Sequence, residues 1–476
     1  MSEMRFLIPE NLDIDKVIEE NKEIFYGNKL KKAQLLYMLD ALAISRARNR
    51  KQMEDNKTPF APLWGKLLQS VVRKYNHYIN FLLSEEILIT DKHFIPGEKC
   101  RGYCYNYPYN GQPYKEVVIE DLMLNRAIKR AARKHEEEIK KAMKGYGYIT
   151  KWWDNGKLQI DKPSAYKWID EYTHRKIESI NANASIRFPQ IEIENANNTA
   201  EDFKYLVRSI KARNYNYGFS GQGHRFYNPI SNLKKELRNF LTYDGKPLVD
   251  IDIKNSQPFL SLVLFNAKFW EAKVHFKEKS LKYLLEDVYE DIRSSKYYNS
   301  IITLVKSYET QYSIGLGFTE YRDLVLSGGF YEHIQDNFSS LYPNKFDERS
   351  KVKIEVLRIL YSNPKLHWLG CYKPCHTFKS FFPGVSKLFN DIKLVKQNYL
   401  PIILQRIESY LVLDVICKAI SKLHPHIPLF TIHDNIITTK GNELIVEAIM
   451  RQEMHKWTGY EPKFGIEDLS SLKIAA

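Results

Sequence analysis

A chain of 476 residues, 44% of them hydrophobic and 13% aromatic, is too long for one ordinary domain and apolar enough to fill real cores, so two to four domains are expected. Its formal charge of +14 points to a polyanion, with nucleic acid as the best-fitting partner. Five cysteines, no apolar signal at the N-terminus and no apolar run of membrane length argue for a soluble chain in a reducing compartment, and the cytoplasm is expected.

The first region, 1–115, opens with helical periodicity over Leu12–Ile24 and Lys32–Arg48, where Leu35, Leu36, Leu39, Leu42 and Ile44 supply the buried face. Arg46, Arg48, Arg50 and Lys51 cluster at the end of the second helix. A third helix is expected near Trp64–Leu83, followed by ILITDKHFIPGEKCRGYCYN, which reads as two strands around a Pro-Gly turn. Helices before a basic hairpin fit a winged-helix-like module or a small helical cap with a solvated face. Cys100 with Cys104 and Cys371 with Cys375 share a C-x3-C spacing, and His376 follows the second pair. In a strand, same-face residues four apart are too distant to share one zinc ion, so these cysteines read as small core residues.

The second region, 116–235, is mostly helical from Val117 to Ile180, with a break at Gly145, Gly147 and the Asp154-Asn155-Gly156 turn. Helical spacing gathers Arg126, Arg130, Arg133 and Lys134 toward one face, suited to phosphate contacts that do not read sequence. Residues near 184–200, rich in Asn, read as a linker. Between Lys204 and Arg225, basic residues interleave with Tyr205, Tyr215, Tyr217 and Phe219, a mixture suited to stacking on a nucleic acid strand or to an ordinary aromatic loop.

The third region, 236–476, carries the chemistry. In LVDIDIKNSQPFL, Asp250 and Asp252 alternate with Val249, Ile251 and Ile253, which puts both carboxylates on one face of a strand. Neighbouring like charges need water or a cation. A largely helical insertion is expected at 268–399, with capping signals at Ser295 and Thr319. Within it, ERSKVKIEVLRILYSNP repeats Arg349, Lys353, Leu357 and Tyr361 every four residues, one slowly drifting helical stripe. Pro364 helps to end that helix. In PLFTIHDNIITT, two β-branched runs flank His433, Asp434 and Asn435, the pattern of a hairpin with an acidic tip. Carboxylates on adjacent strands can hold two Mg²⁺ ions ~3.5–4 Å apart, the arrangement used in nucleotidyl transfer. A closing helix is expected over Glu443–Gly459.

These segments resemble motifs of the family A DNA polymerases. The stripe Arg349, Lys353, Leu357, Tyr361, Ser362 is similar to that family's fingers pattern R-x3-K-x3-F/Y-x3-Y-G. Residues Asp252 to Gln257 overlay its motif A, D-Y-S-Q-I-E, without a gap, and His433-Asp434-Asn435 resembles its motif C, H-D-E. His224-Arg225 is similar to its T-G-R segment, Arg238 to a basic residue ahead of motif A, and Gln405 to a template-side glutamine. The resemblance covers roughly the second half of the chain, in the order A, B, C.

It implies an α+β right-hand polymerase: an antiparallel palm sheet, mostly helical fingers and thumb, and the small N-terminal module. Asp252, Asp434 and the Ile253 carbonyl would hold two Mg²⁺ ions, with Mn²⁺ as a substitute. Arg349 and Lys353 would neutralise the triphosphate, and Leu357, Tyr361, Gln257 and His433 would line the nucleotide. Arg225, Arg238, Gln405, Arg130 and Arg133 would contact primer-template, and replication or mobile-element proteins would be further partners. The family does not require an acid at Asp250.

The departures are informative. Gln257 replaces the acidic residue that excludes a 2′ hydroxyl, Leu357 a stacking aromatic, Ser362 a glycine and Asn435 the motif C glutamate. Phage-type single-subunit RNA polymerases share the same motifs, with a small residue at the gate, so an RNA polymerase or primase-like enzyme is the first alternative. A non-catalytic DNA-binding replication initiator is the second. The N-terminal half lacks the acidic pattern of a proofreading exonuclease.

Overall fold

The computed structural model describes residues 3–26, 30–95, 99–219, 221–271, 278–309, 317–342, 345–364 and 373–470. The Pro96-Gly97 turn and Cys371 lie outside them. Strands β1 (Met4–Pro9), β2 (Ala61–Pro62), β3 (Leu88–Thr90), β4 (Gly102–Tyr105) and β5 (Tyr114–Ile119) alternate with helices Ile14–Glu20, Lys22–Tyr26, Lys32–Asp55, Gly65–Val71 and Tyr75–Ser84. β1 and β5 form an antiparallel ribbon from Met4 opposite Ile119 to Pro9 opposite Tyr114. The order β2-β4-β3 makes a second small sheet.

Sequence periodicity misses β1, β2 and β5, because short strands carry too few residues to show alternation. It joins two helices that break at Val72–Lys74. The boundary drawn at 115/116 falls inside β5. Cys104 is buried in β4, Cys375 is buried in a helix and Cys100 is half-buried. Arg46, one of the four basic residues clustered toward the end of the long helix, is buried 3.7 Å from Asp202.

The stretch 184–200, expected to be a linker, is helical from Pro189, where a helix begins that runs to Lys211. Pro at the first helical position presets φ and needs no hydrogen-bond donor there. That helix packs against Lys162–Ala182 and against the long N-terminal helix. The apolar faces of three helices supply the order that Asn-rich composition hides.

A six-stranded antiparallel sheet organises the rest. β6 (Leu158–Ile160) lies far upstream, and β7 (Gly218–Phe219) and β8 (Phe226–Tyr227) form a separate hairpin. β9 (Leu241–Tyr243) pairs with β6 and with the start of β10 (Lys246–Ile253). β11 (Phe430–Ile432) and β12 (Asn435–Thr439) form the next hairpin, and β13 (Phe464–Asp468) closes the sheet. β10 is central: Val249 lies opposite Thr438 on one edge and opposite Asp468 on the other. The aromatic stretch before β8 is half-buried and packs against this core. Tyr215, Tyr217 and Phe430 all pack on the buried Trp153, with ring centroids 5.3, 6.2 and 5.1 Å away.

Between β10 and the β11–β12 hairpin, the chain is helical wherever it is described as regular. The helix Arg349–Tyr361 has an unusual support at its C-terminal end. Lys393, 3% exposed, donates from Nζ to the Ile359 carbonyl at 2.8 Å. That carbonyl is among the last four, which have no partner inside the helix. Burial pulls the Lys393 pKa down from 10.5 to about 8. A lysine with a depressed folded pKa contributes stability that is full above its unfolded pKa and lost as pH falls through the folded value. Wild-type stability relative to Lys393→Met should therefore rise between about pH 8 and about pH 10, and urea denaturation of the two proteins across that window measures the change.

Candidate active site

β10 ends with Asp252 at the mouth of a turn into the helix Ser256–Ser261, and Asn255 makes the turn with φ at +55°. Ile432 pairs with Asn435, so His433 and Asp434 are the two turn residues of the β11–β12 hairpin. His433 takes the left-handed conformation, φ +57°, that a two-residue hairpin turn demands. β10 and β12 are direct neighbours, which brings the Asp434 tip and the Asp252 end of the central strand together.

The charges show the proximity. Burial raises the Asp252 pKa from 3.8 to about 7, with Asp434 and Asp250 adding to the rise and Lys353 opposing it. Burial also raises Asp434, while Ser256, Lys353 and Arg225 pull it back. Two carboxylates and one lysine, from β10, the hairpin and the helix Arg349–Tyr361, thus share one electrostatic site. His433 is held neutral, its pKa pushed down to about 3 by burial and by Arg225, Lys51 and Arg238. Its ring meets Tyr227 edge-on at 5.4 Å.

Asp250 shares a face with Asp252 but has a different task. It is 3% exposed and accepts from Asn435 Nδ2 at 2.9 and 3.0 Å, one bond to each oxygen. Asn435 therefore ties the hairpin to the central strand. Arg238 lies beside Asp250, which raises its pKa against a downward pull from burial, and donates to the Leu233 carbonyl at 3.3 Å. The half-buried Arg238 thus has partners within the protein, Asp250 and the Leu233 carbonyl.

A second cluster adjoins the first. Tyr361 donates its hydroxyl to Gln257 Oε1 at 2.8 Å, and Gln257 Nε2 donates to Glu408 Oε2 at 2.6 Å. Arg225 donates from Nη2 to the same oxygen at 2.8 Å, and its Nε lies 2.8 Å from Glu408 Oε1. Glu408 is 2% exposed, and burial and then Asp434 push its pKa up to about 7. Sequence reasoning misses Glu408, a lone acid in an apolar helical run. It also assigns Arg225 to nucleic acid, whereas the guanidinium faces this carboxylate. Glu408 ends the helix Tyr399–Ser409, just before a π-helical stretch Tyr410–Cys417, a widening often found at functional sites.

The remaining residues sit further out. Arg349 is paired with Glu332 at 2.6 Å and lies 5.0 Å over the Tyr331 ring, whereas Lys353 is exposed toward the carboxylates. Leu357 is half-buried on the same helix. The Gln405 side chain packs where a Cβ on Gly223 would stand, 2.7 Å from its Oε1. Arg130 and Arg133 are exposed on the helix Leu122–Ala142, and nothing joins them to the carboxylates. Among the described residues, no group of three or more His, Cys, Asp or Glu side chains is arranged to hold a metal ion, and no helix is long and apolar enough to cross a membrane.

No protein-family model and no curated protein matches the chain. Among solved structures, the POL domain of Pol1 from M. smegmatis, in complex with DNA primer-template and dNTP, aligns over 75% of each chain at 11% identity with a TM-score of 0.33. Similarity at that level assigns neither fold nor function.

Proposed function

We propose that this chain is a template-directed nucleotidyltransferase that adds deoxynucleotides to a primer 3′ end, without a proofreading exonuclease. The observation that carries the reading is the convergence of Asp252, Asp434 and Lys353 from three separated segments into one site, where Asp434 raises the Asp252 pKa and Lys353 lowers that of both carboxylates. In this reading the six-stranded sheet is the palm, the helical insertion the fingers, and the exposed arginines of Leu122–Ala142 belong to a thumb.

The residues present suit Mg²⁺. Buried like charges that the exposed Lys353 and Lys235 only partly offset are the electrostatics that a divalent cation relieves. Asp252, Asp434 and the Ile253 carbonyl would be the whole protein donor set, and Mg²⁺ commonly keeps waters and substrate phosphates as its other ligands. Two bound ions would supply an activated 3′ hydroxyl and charge stabilisation on the leaving pyrophosphate. Lys353 stands where it can neutralise the triphosphate, with Arg349 one helical turn before it. Neutral His433 can donate or accept beside the phosphates without adding repulsion.

Gln257 sits between Tyr361 and Glu408 and so holds a fixed orientation at the sugar gate. Its volume, near that of glutamate, keeps the cavity closed to a 2′ hydroxyl. Primer extension with dNTPs and NTPs in competition tests the reading. Wild-type protein should favour dNTPs, and Gln257→Ala should shift the ratio toward NTPs by about tenfold, the worth of one or two kcal/mol of lost packing. Preferential use of NTPs together with primer-free initiation would replace this reading with an RNA polymerase, and nucleic acid binding without extension would replace it with an initiator.

A further inference from the structure

The N-terminal region holds a cavity of about 920 Å³ between the C-terminal half of Lys32–Asp55, the helix Gly65–Val71 and the described residues Asp91, Phe94, Ile95, Lys99, Cys100 and Gly102. Its rim displays Trp64 and Phe94, 63% and 55% exposed, large apolar rings that a solvent-facing surface has no reason to carry together. Two glycines let its wall residues pack closely. A Cβ on Gly102 would stand 2.6 Å from the Phe60 Cβ, and one on Gly65 would collide with the Tyr75 hydroxyl.

The polar groups are of a particular kind. Gln52 and Asn56, one turn apart on the long helix, bring exposed amides to one wall. Lys66 and Lys99 stand at the rim, the latter 3.3 Å from Asp91. Rings for stacking, amides that can both donate and accept, and flanking ammonium groups are the three things an unpaired nucleotide recognises. A chain with a formal charge of +14 supplies the long-range attraction.

We propose that this groove binds single-stranded nucleic acid, taking unstacked bases between Trp64 and Phe94 while Lys66 and Lys99 meet the phosphates. A cavity of this size admits about one or two nucleotides and no duplex. The groove is also coupled in space to the candidate active site. Lys51, on the same helix as Gln52, lies close enough to His433 to depress its pKa. The proposal does not require nucleotidyl transfer.

The test uses the full chain carrying Asp252→Asn, with no nucleotide and no divalent ion, so that binding is read apart from catalysis. Fluorescence anisotropy would follow labelled oligodeoxyuridylate, oligouridylate and a hairpin duplex. Adding Trp64→Ala and Phe94→Ala should weaken single-strand binding about tenfold or more and leave the duplex affinity unchanged. Both rings are exposed, so an unchanged thermal midpoint checks that the fold persists. As a second variant, Lys66→Ala should reduce the salt dependence of single-strand binding by about 0.7 in the log–log slope. The tighter-bound of the two oligonucleotides identifies the sugar. Unchanged single-strand affinity in the double variant, or an equal loss for duplex and single strand, would overturn the proposal.

Discussion

Asp252→Asn and Asp434→Asn should each lower nucleotide addition by at least about a thousandfold while leaving the protein folded and able to bind nucleic acid. Asparagine keeps the volume and removes only the charge. Each carboxylate is held against burial, and Asp252 also against Asp434, so the neutral residue relieves an unfavourable charge in the protein without divalent ions. The thermal midpoint of either variant should therefore equal or exceed that of the wild type, the usual relation between an active-site charge and stability. A variant that lost activity along with several degrees of midpoint would assign Asp252 or Asp434 a structural role. Retained primer extension in both would remove them from the site.

The second large effect concerns Glu408. Glu408→Ala takes the buried carboxylate from the half-buried Arg225 and the acceptor from Gln257 Nε2, and removing one partner of a desolvated ion pair costs up to about 3–5 kcal/mol. Denaturant melts of Glu408→Ala, Arg225→Ala and the double variant form a cycle that measures the pair. The double variant should lose far less than the sum of the singles. Strict additivity would mean that the two groups stabilise the fold independently.

The same network explains what could and could not be read from the sequence. The strand with Asp252, the helix Arg349–Tyr361 and the hairpin with Asp434 were legible because each is a local pattern: period two, period four, and a turn between β-branched runs. Each signal lies within a dozen residues. Glu408 was not legible, because its meaning depends on Arg225 and Gln257, which are 183 and 151 residues away in the chain.

Asn435 shows the same limit. As a sequence feature it is only a departure from an acidic motif, and its bond to Asp250 emerges when β12 is laid beside β10. Tyr215 and Tyr217 alternate with polar residues as a strand-binding surface would, yet Trp153 and the sheet claim their rings. Composition cannot tell a stacking platform from an aromatic core, since both ask for exchangeable flat side chains.

Template dependence tests the central claim most directly. Purified protein with Mg²⁺ would be given one primer on a series of templates that differ only in the first unpaired base, and each nucleotide would be supplied alone. Asp252, Asp434 and Lys353, acting as proposed, predict that a primer is extended only by the nucleotide complementary to that base, and that Asp252→Asn extends none. Extension by the same nucleotide on every template, or no extension on any, would contradict it.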